Sequence, residues 1–247
     1  MITGGVDLAS QNPKTALCAI TWSEGGATVD ELVLGVDDHA ILELIRGADK
    51  VGLDVPLGWP IAFARAVGAS LEGPWPVAYR HADNIDYRLR RTDRWVWRTL
   101  KTSPPLSVST DRIALPAMRA AALLSQQYAH SPRDGSGSVV EVYPAAALRR
   151  WGFASRQYKS GENLAARTTL VTNFFHESQA WLAISTEDAE LCVESDDAFD
   201  ALICALVARA FATSLVENIP PEDHSSALRE GWIAVPLEGS LARLAER

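Results

Sequence analysis

The chain has 247 residues, 47% of them hydrophobic and 22% charged, which describes a well-filled globular protein: one large domain, or a domain with an insertion. No apolar run approaches the roughly 20 residues a membrane span needs, and a strand-like segment begins within five residues of the start, so neither a span nor a leader is expected and the expected location is cytoplasmic. The net charge of −8 argues against a long duplex as partner, and the scattered Cys18, Cys192 and Cys204 read as reduced, buried thiols rather than disulfides or zinc ligands.

In chain order, residues 4–9, 14–22 and 27–34 read as three strands with short links, hence an antiparallel meander. Asp37 or Asp38 then caps a helix whose face carries Ile41, Leu44 and Ile45, with Gly47 near its end. Residues 50–55 form the next strand. A strand, helix and strand joined this way make a right-handed parallel crossover, so the strand of Asp54 is expected beside that of Asp7 and parallel to it. From about 56 to 137, Pro74, Pro76, Pro104, Pro105 and Pro116 break the pattern into short helices and loops, an insertion that includes an alanine-rich helix at about 117–128. Residues 138–143 read as another strand, followed by helices at about 164–175 and 197–216, and residues 230–236 as a packed edge segment.

The insertion holds a basic stretch. Between 80 and 101, Arg80, Arg88, Arg90, Arg91, Arg94, Arg98 and Lys101 outnumber Asp83, Asp86 and Asp93. Tyr79, Tyr87, Trp95 and Trp97 are interleaved, a composition that suits bases stacked on rings and phosphates held by arginines. A salt-bridged helix with its aromatics turned inward fits the same pattern.

Four aspartates carry the strongest chemical signal. Asp7 and Asp54 close two apolar strands, and Asp197 and Asp200, three apart, share one face at the start of a helix that continues as ALICALVA. Acids at the carboxyl ends of neighbouring parallel strands occupy the usual place of a site in an open α/β sheet. Burial of such groups calls for a cation or a metal, and oxygen-only ligation selects Mg²⁺ or Mn²⁺. Glu141, in the strand before Tyr143, is a further candidate ligand. Turn formation by Asp7 and Asp54 and capping by Asp196 or Asp197 are the competing accounts, and a lysine or arginine filling the space between the acids would favour them. The five histidines have no metal-ligand spacing, and neither a nucleophile elbow nor a phosphate loop occurs.

The element order, with acids on the first and fourth long strands and on the last long helix, resembles the ribonuclease H-like fold, and DDAFDAL at 196–202 is similar to the acidic helix of RuvC-type resolvases. GVDLA at 5–9, GLDVPLGWP at 52–60, RRTDR at 90–94, PPLSVSTDRI at 104–113, EVYPAAAL at 141–148, QYK at 157–159, DDAFDAL and EGWIAVP at 230–236 together resemble the domain of unknown function family 429, whose members are described as predicted ribonuclease H-like nucleases. The resemblance implies a single α/β domain over 1–247: a mixed five-stranded sheet flanked by helices, with a mostly helical and loop insertion. It also implies metal-dependent phosphodiester hydrolysis with Mg²⁺ or Mn²⁺ on Asp7, Asp54, Asp197 and Asp200, and Glu141 as an additional ligand. Lys159, Arg91, Arg88 and Arg94 are the candidates for binding substrate, either nucleic acid or a nucleotide-like phosphate ester. Arg91 and Asp93 are also placed to pair with each other. A non-catalytic nucleic-acid or protein binding module with the same fold is the alternative, and the oligomeric state is left open.

Overall fold

The computed structural model describes residues 1–79, 83–126, 131–159 and 161–246. Arg80, the Tyr79 ring and the last two residues of the expected alanine-rich helix lie outside what is described.

Strands β1 (Ile2–Asp7), β2 (Ala16–Ser23) and β3 (Gly26–Leu34) form the expected meander. Helix α1 (Asp38–Gly47) is capped by the Asp37 carboxylate, which accepts the Ala40 N–H at 3.0 Å, and leads into β4 (Lys50–Asp54). The insertion contributes α2 (Ile61–Ser70), α3 (Asn84–Arg88), α4 (Arg91–Leu100) and α5 (Ala114–Ser125). Then follow β5 (Val139–Val142), α6 (Pro144–Arg150), α7 (Leu164–Ser178), β6 (Leu182–Ala183), α8 (Thr186–Glu194), α9 (Asp196–Ala212), α10 (His224–Glu230) and β7 (Ile233–Ala234).

The sheet has seven strands in the order β6-β3-β2-β1-β4-β5-β7, with β2 antiparallel to both neighbours and the other pairings parallel. The expected count of five is therefore corrected. The five long strands are there in sequence, and a two-residue strand extends each edge, too short to show any alternation in the sequence. β7 is the tail segment expected at an edge. β6, α6, α8 and α10 had no counterpart among the expected elements.

Alternation along the strands divides the core into two layers. Val6, Leu8, Val51, Leu53 and Val55 face α1 and α5 with Ile41, Ile45, Ala117, Ala120 and Leu123. The insertion is thus no appendage, since α5 covers one face of the sheet. On the other face Cys18, Ile20, Val140 and Val142 pack with Phe174, Phe199, Leu202 and Leu206 of α7 and α9. From Ala198 to Ala210 every residue of α9 is buried, in keeping with a helix apolar all round that lies between sheet and outer helices.

How closely α9 lies on the sheet is set by two glycines. A Cβ on Gly5 would stand 2.1 Å from the Ala201 carbonyl oxygen, and one on Gly52 would stand 2.3 Å from that of Cys204. Without side chains there, helix backbone rests on strand backbone. All three cysteines are free and buried, as expected. Among the described residues no helix is long and apolar enough to cross a membrane.

Candidate metal centre

Asp7 and Asp54 are register partners on the parallel pair β1 and β4. Each stands two residues beyond the glycine on which α9 rests, so each projects from the α9 face at the carboxyl end of its strand. Ser195 caps α9 through the Ala198 N–H at 3.2 Å, and Asp200 follows one turn later, directly before the Ala201 that lies on Gly5. The result is a trio. Asp7, Asp54 and Asp200 each offer an oxygen, and these lie within 4.8 Å of one another.

The loop between α6 and α7 closes the trio from the other side. Gln157 takes a left-handed conformation, with φ of 59°, just before Tyr158 and Lys159. The Tyr158 hydroxyl donates to Asp200 Oδ1 at 2.8 Å, and its carbonyl accepts from Arg167 at 2.9 Å. Arg167 also holds the Val193 and Glu194 carbonyls at the end of α8, which fixes this loop against the start of α9. Lys159 Nζ lies 2.5 Å from Asp200 Oδ2 and 3.8 Å from Asp54 Oδ2. Asp200 Oδ2 is fully buried against that ammonium.

Electrostatics follow from that crowding. Burial raises the Asp7 carboxyl well above the usual range, and the charge of Asp54 adds to the effect, with Lys159 pulling the other way. Burial pushes Asp54 up to about 7 against the pull of Lys159, with Asp200 and Glu141 adding to the rise. Asp200 is raised by burial, held back by the Lys159 ammonium and the Tyr158 hydroxyl. Burial works against a charge on Lys159, but Asp200, Tyr158, Asp54 and Asp7 outweigh it and hold the ammonium protonated. Three carboxylates facing one ammonium leave two negative charges uncompensated. Protons or a divalent cation must make up the difference.

The other candidates lie elsewhere. Asp197 is half-buried on the first turn of α9, its carboxyl raised by burial and by Asp196 and Asp200, and it stays outside the trio. Glu141 is corrected as a ligand by parity. It pairs with Leu53 across β4 and β5, and Leu53 faces α1 and α5, so Glu141 projects from the face of the sheet opposite to Asp54. There Arg90 grips it with two hydrogen bonds of 2.7 and 2.8 Å, and the Leu57 N–H donates to it at 2.9 Å. Arg90 meets Asp93 on its other side at 2.8 Å, and all three side chains are buried. Asp93 therefore pairs with Arg90, while Arg91 pairs with Asp223 at 2.7 Å. Arg94 binds Asp86 at 2.6 Å and the Ile85 and Leu89 carbonyls. Arg88 is exposed. Trp95 packs on Trp232, and Tyr87 on Trp75. Arg91, Arg94, Trp95 and Arg98 do share one cavity of about 290 Å³ with Pro220, Glu222 and Asp223.

Sequence reasoning passed over Tyr158, Arg167 and Arg90. It also passed over the one local sign of helix-to-sheet contact, the Gly-x-Asp spacing that recurs at Gly5–Asp7 and Gly52–Asp54. Comparison with curated proteins and with solved structures returns no match. A family description does match, over residues 5–225, nearly the whole of the chain: it belongs to the family described as Protein of unknown function (DUF429).

Proposed function

We propose that this protein is a metal-dependent phosphodiesterase of the nuclease type, with Mg²⁺ or Mn²⁺ held by Asp7, Asp54 and Asp200. One observation carries the reading: three acids from two strands and a helix converge, partly buried, with one ammonium among the described residues paired to them. The site fits a hard divalent ion, because its donors are all carboxylate oxygens and three carboxylates against one ammonium leave two negative charges to be balanced. The five long strands, with the acids on the first, the fourth and the last long helix, resemble the ribonuclease H-like arrangement, which supports the same reading.

In this mechanism Asp7 and Asp54 hold their carboxylates side by side by strand register, and Asp200 completes the ligand face from the helix. When bound, the ion supplies Lewis-acid stabilisation of phosphate charge and lowers the pKa of water. Tyr158 fixes the rotamer of Asp200, and the half-exposed Lys159 meets an incoming anion at the pocket mouth. A phosphodiester of a single strand or a nucleotide suits the acidic chain better than a long duplex. Arg91 and Arg94 are engaged in ion pairs, so the exposed Arg88 and Arg98 are the freer contacts for a phosphate backbone.

Lys159 against the trio is also the observation that favours the second reading, a non-catalytic module in which an ammonium simply neutralises buried acids. Hydrolysis of short single-stranded oligonucleotides and of bis-nitrophenyl phosphate, assayed with Mn²⁺ or Mg²⁺, separates the two. The expected result is turnover abolished by EDTA and reduced at least 10²-fold in Asp7→Asn and Asp200→Asn proteins that keep the native circular dichroism. Turnover that survives both substitutions rejects the metal-dependent reading, and binding without turnover supports the module.

A further inference from the structure

We infer that Lys159 is a displaceable counter-ion, an ammonium that stands in the divalent-ion position of the trio and withdraws when the ion arrives. The inference rests on the metal-centre reading above and adds to it how the site changes between its empty and loaded states.

Position comes first. Lys159 Nζ touches Asp200 Oδ2 and lies within ion-pair distance of Asp54 Oδ2, so it occupies the side of the trio where ligand oxygens converge. An ammonium and a divalent ion cannot both approach Asp200 Oδ2 this closely without strong repulsion. Charge favours the exchange: against three carboxylates the ammonium leaves two negative charges unbalanced, whereas a divalent ion in its place leaves one.

The attachment of the lysine makes withdrawal inexpensive. Its side chain is 49% exposed, unlike Asp200, whose side chain is fully buried, so a path to water is open along the stem. The backbone need not move, because Tyr158 is held through its hydroxyl by Asp200 and through its carbonyl by Arg167. A flexible four-carbon stem with a compact charge can swing from such a fixed point, which a planar, forked guanidinium does less readily. The ammonium thus spares the empty pocket from like-charge repulsion and stays tethered beside the loaded one.

Mn²⁺ affinity, measured by water-proton relaxation on the full chain, tests this in wild type and in Lys159→Met. Acylation of Lys159 by an amine-reactive ester, followed by peptide mass spectrometry with Lys101 as internal reference, gives a readout independent of activity. The expected results are Mn²⁺ binding at least tenfold tighter in Lys159→Met, and a severalfold faster acylation of wild-type Lys159 when Mn²⁺ is added. Equal or weaker Mn²⁺ binding in Lys159→Met overturns the exchange while leaving the metal centre standing. No Mn²⁺ binding by either protein overturns the metal centre itself. Should Lys159→Met fail to fold without metal, the wild-type acylation rates decide alone, and a rate unchanged by Mn²⁺ overturns the exchange.

Discussion

Burial holds the Asp54 carboxyl at about 7 in the folded, metal-free protein, whereas in an unfolded chain it releases its proton near 4. Between those values the folded state carries a proton that the unfolded state has lost. The contribution of Asp54 to stability is therefore full below about pH 4 and lost as pH rises towards about 7. In EDTA, the stability of wild type relative to Asp54→Asn is expected to fall across that window in urea titrations. A difference that grows with pH would mean that the carboxylate is the form the fold prefers. Because metal ligation requires the deprotonated acid, Mn²⁺ affinity is expected to drop as pH is lowered below about 7.

At the scale of elements, the site depends on how closely α9 rests on β1 and β4. Gly5→Ala and Gly52→Ala would each drive a methyl into helix backbone, where no rotamer change can relieve the clash. Each is expected to cost about 1–3 kcal/mol, with loss of Mn²⁺ binding as α9 carries Asp200 away from its partners. Gly68→Ala in α2 is the control: its added methyl meets nothing, the position is exposed, and thermal melts should show a gain of about 0.5–1 kcal/mol. The five long strands and the long helix α9 were legible in the sequence because alternation at Val6 and Leu8 and the unbroken apolar run after Asp200 are strong local signals, which the short β6, α6, α8 and α10 lack. Asp7 and Asp54 were legible for the same reason. Glu141 was misplaced because its side of the sheet depends on the register between β4 and β5, which local pattern does not give. Arg91 looked available to substrate or to Asp93 because its partner Asp223 is remote in sequence, and Arg94 looked free because Asp86 was counted only as a charge. Lys159 sits in a loop whose path depends on Arg167, so its approach to the acids could come only from the fold.

Over the whole molecule, charged contacts outside the trio tie the insertion to the sheet and to α10. Arg90 reaches Glu141 on β5, and the Glu230 carboxylate on α10 accepts the Ile61 N–H at 2.8 Å and the Arg91 N–H at 2.7 Å. Arg90→Met would strand Glu141 and Asp93 as buried, unpaired acids, a change expected to cost about 3–5 kcal/mol. Since α5 is itself part of the core, denaturant unfolding of this variant should remain one cooperative transition; two separated transitions would mean that the insertion folds on its own. Main chain against main chain at Gly5 and Gly52 carries one more implication. Peptide groups have no alternative rotamers, so the gap between strand and helix cannot drift as apolar side chains elsewhere are exchanged. Tolerance to sequence change and fidelity of ligand placement are thereby separated, and the protein can lose much of its thermal margin in the outer layers before its three acids move apart.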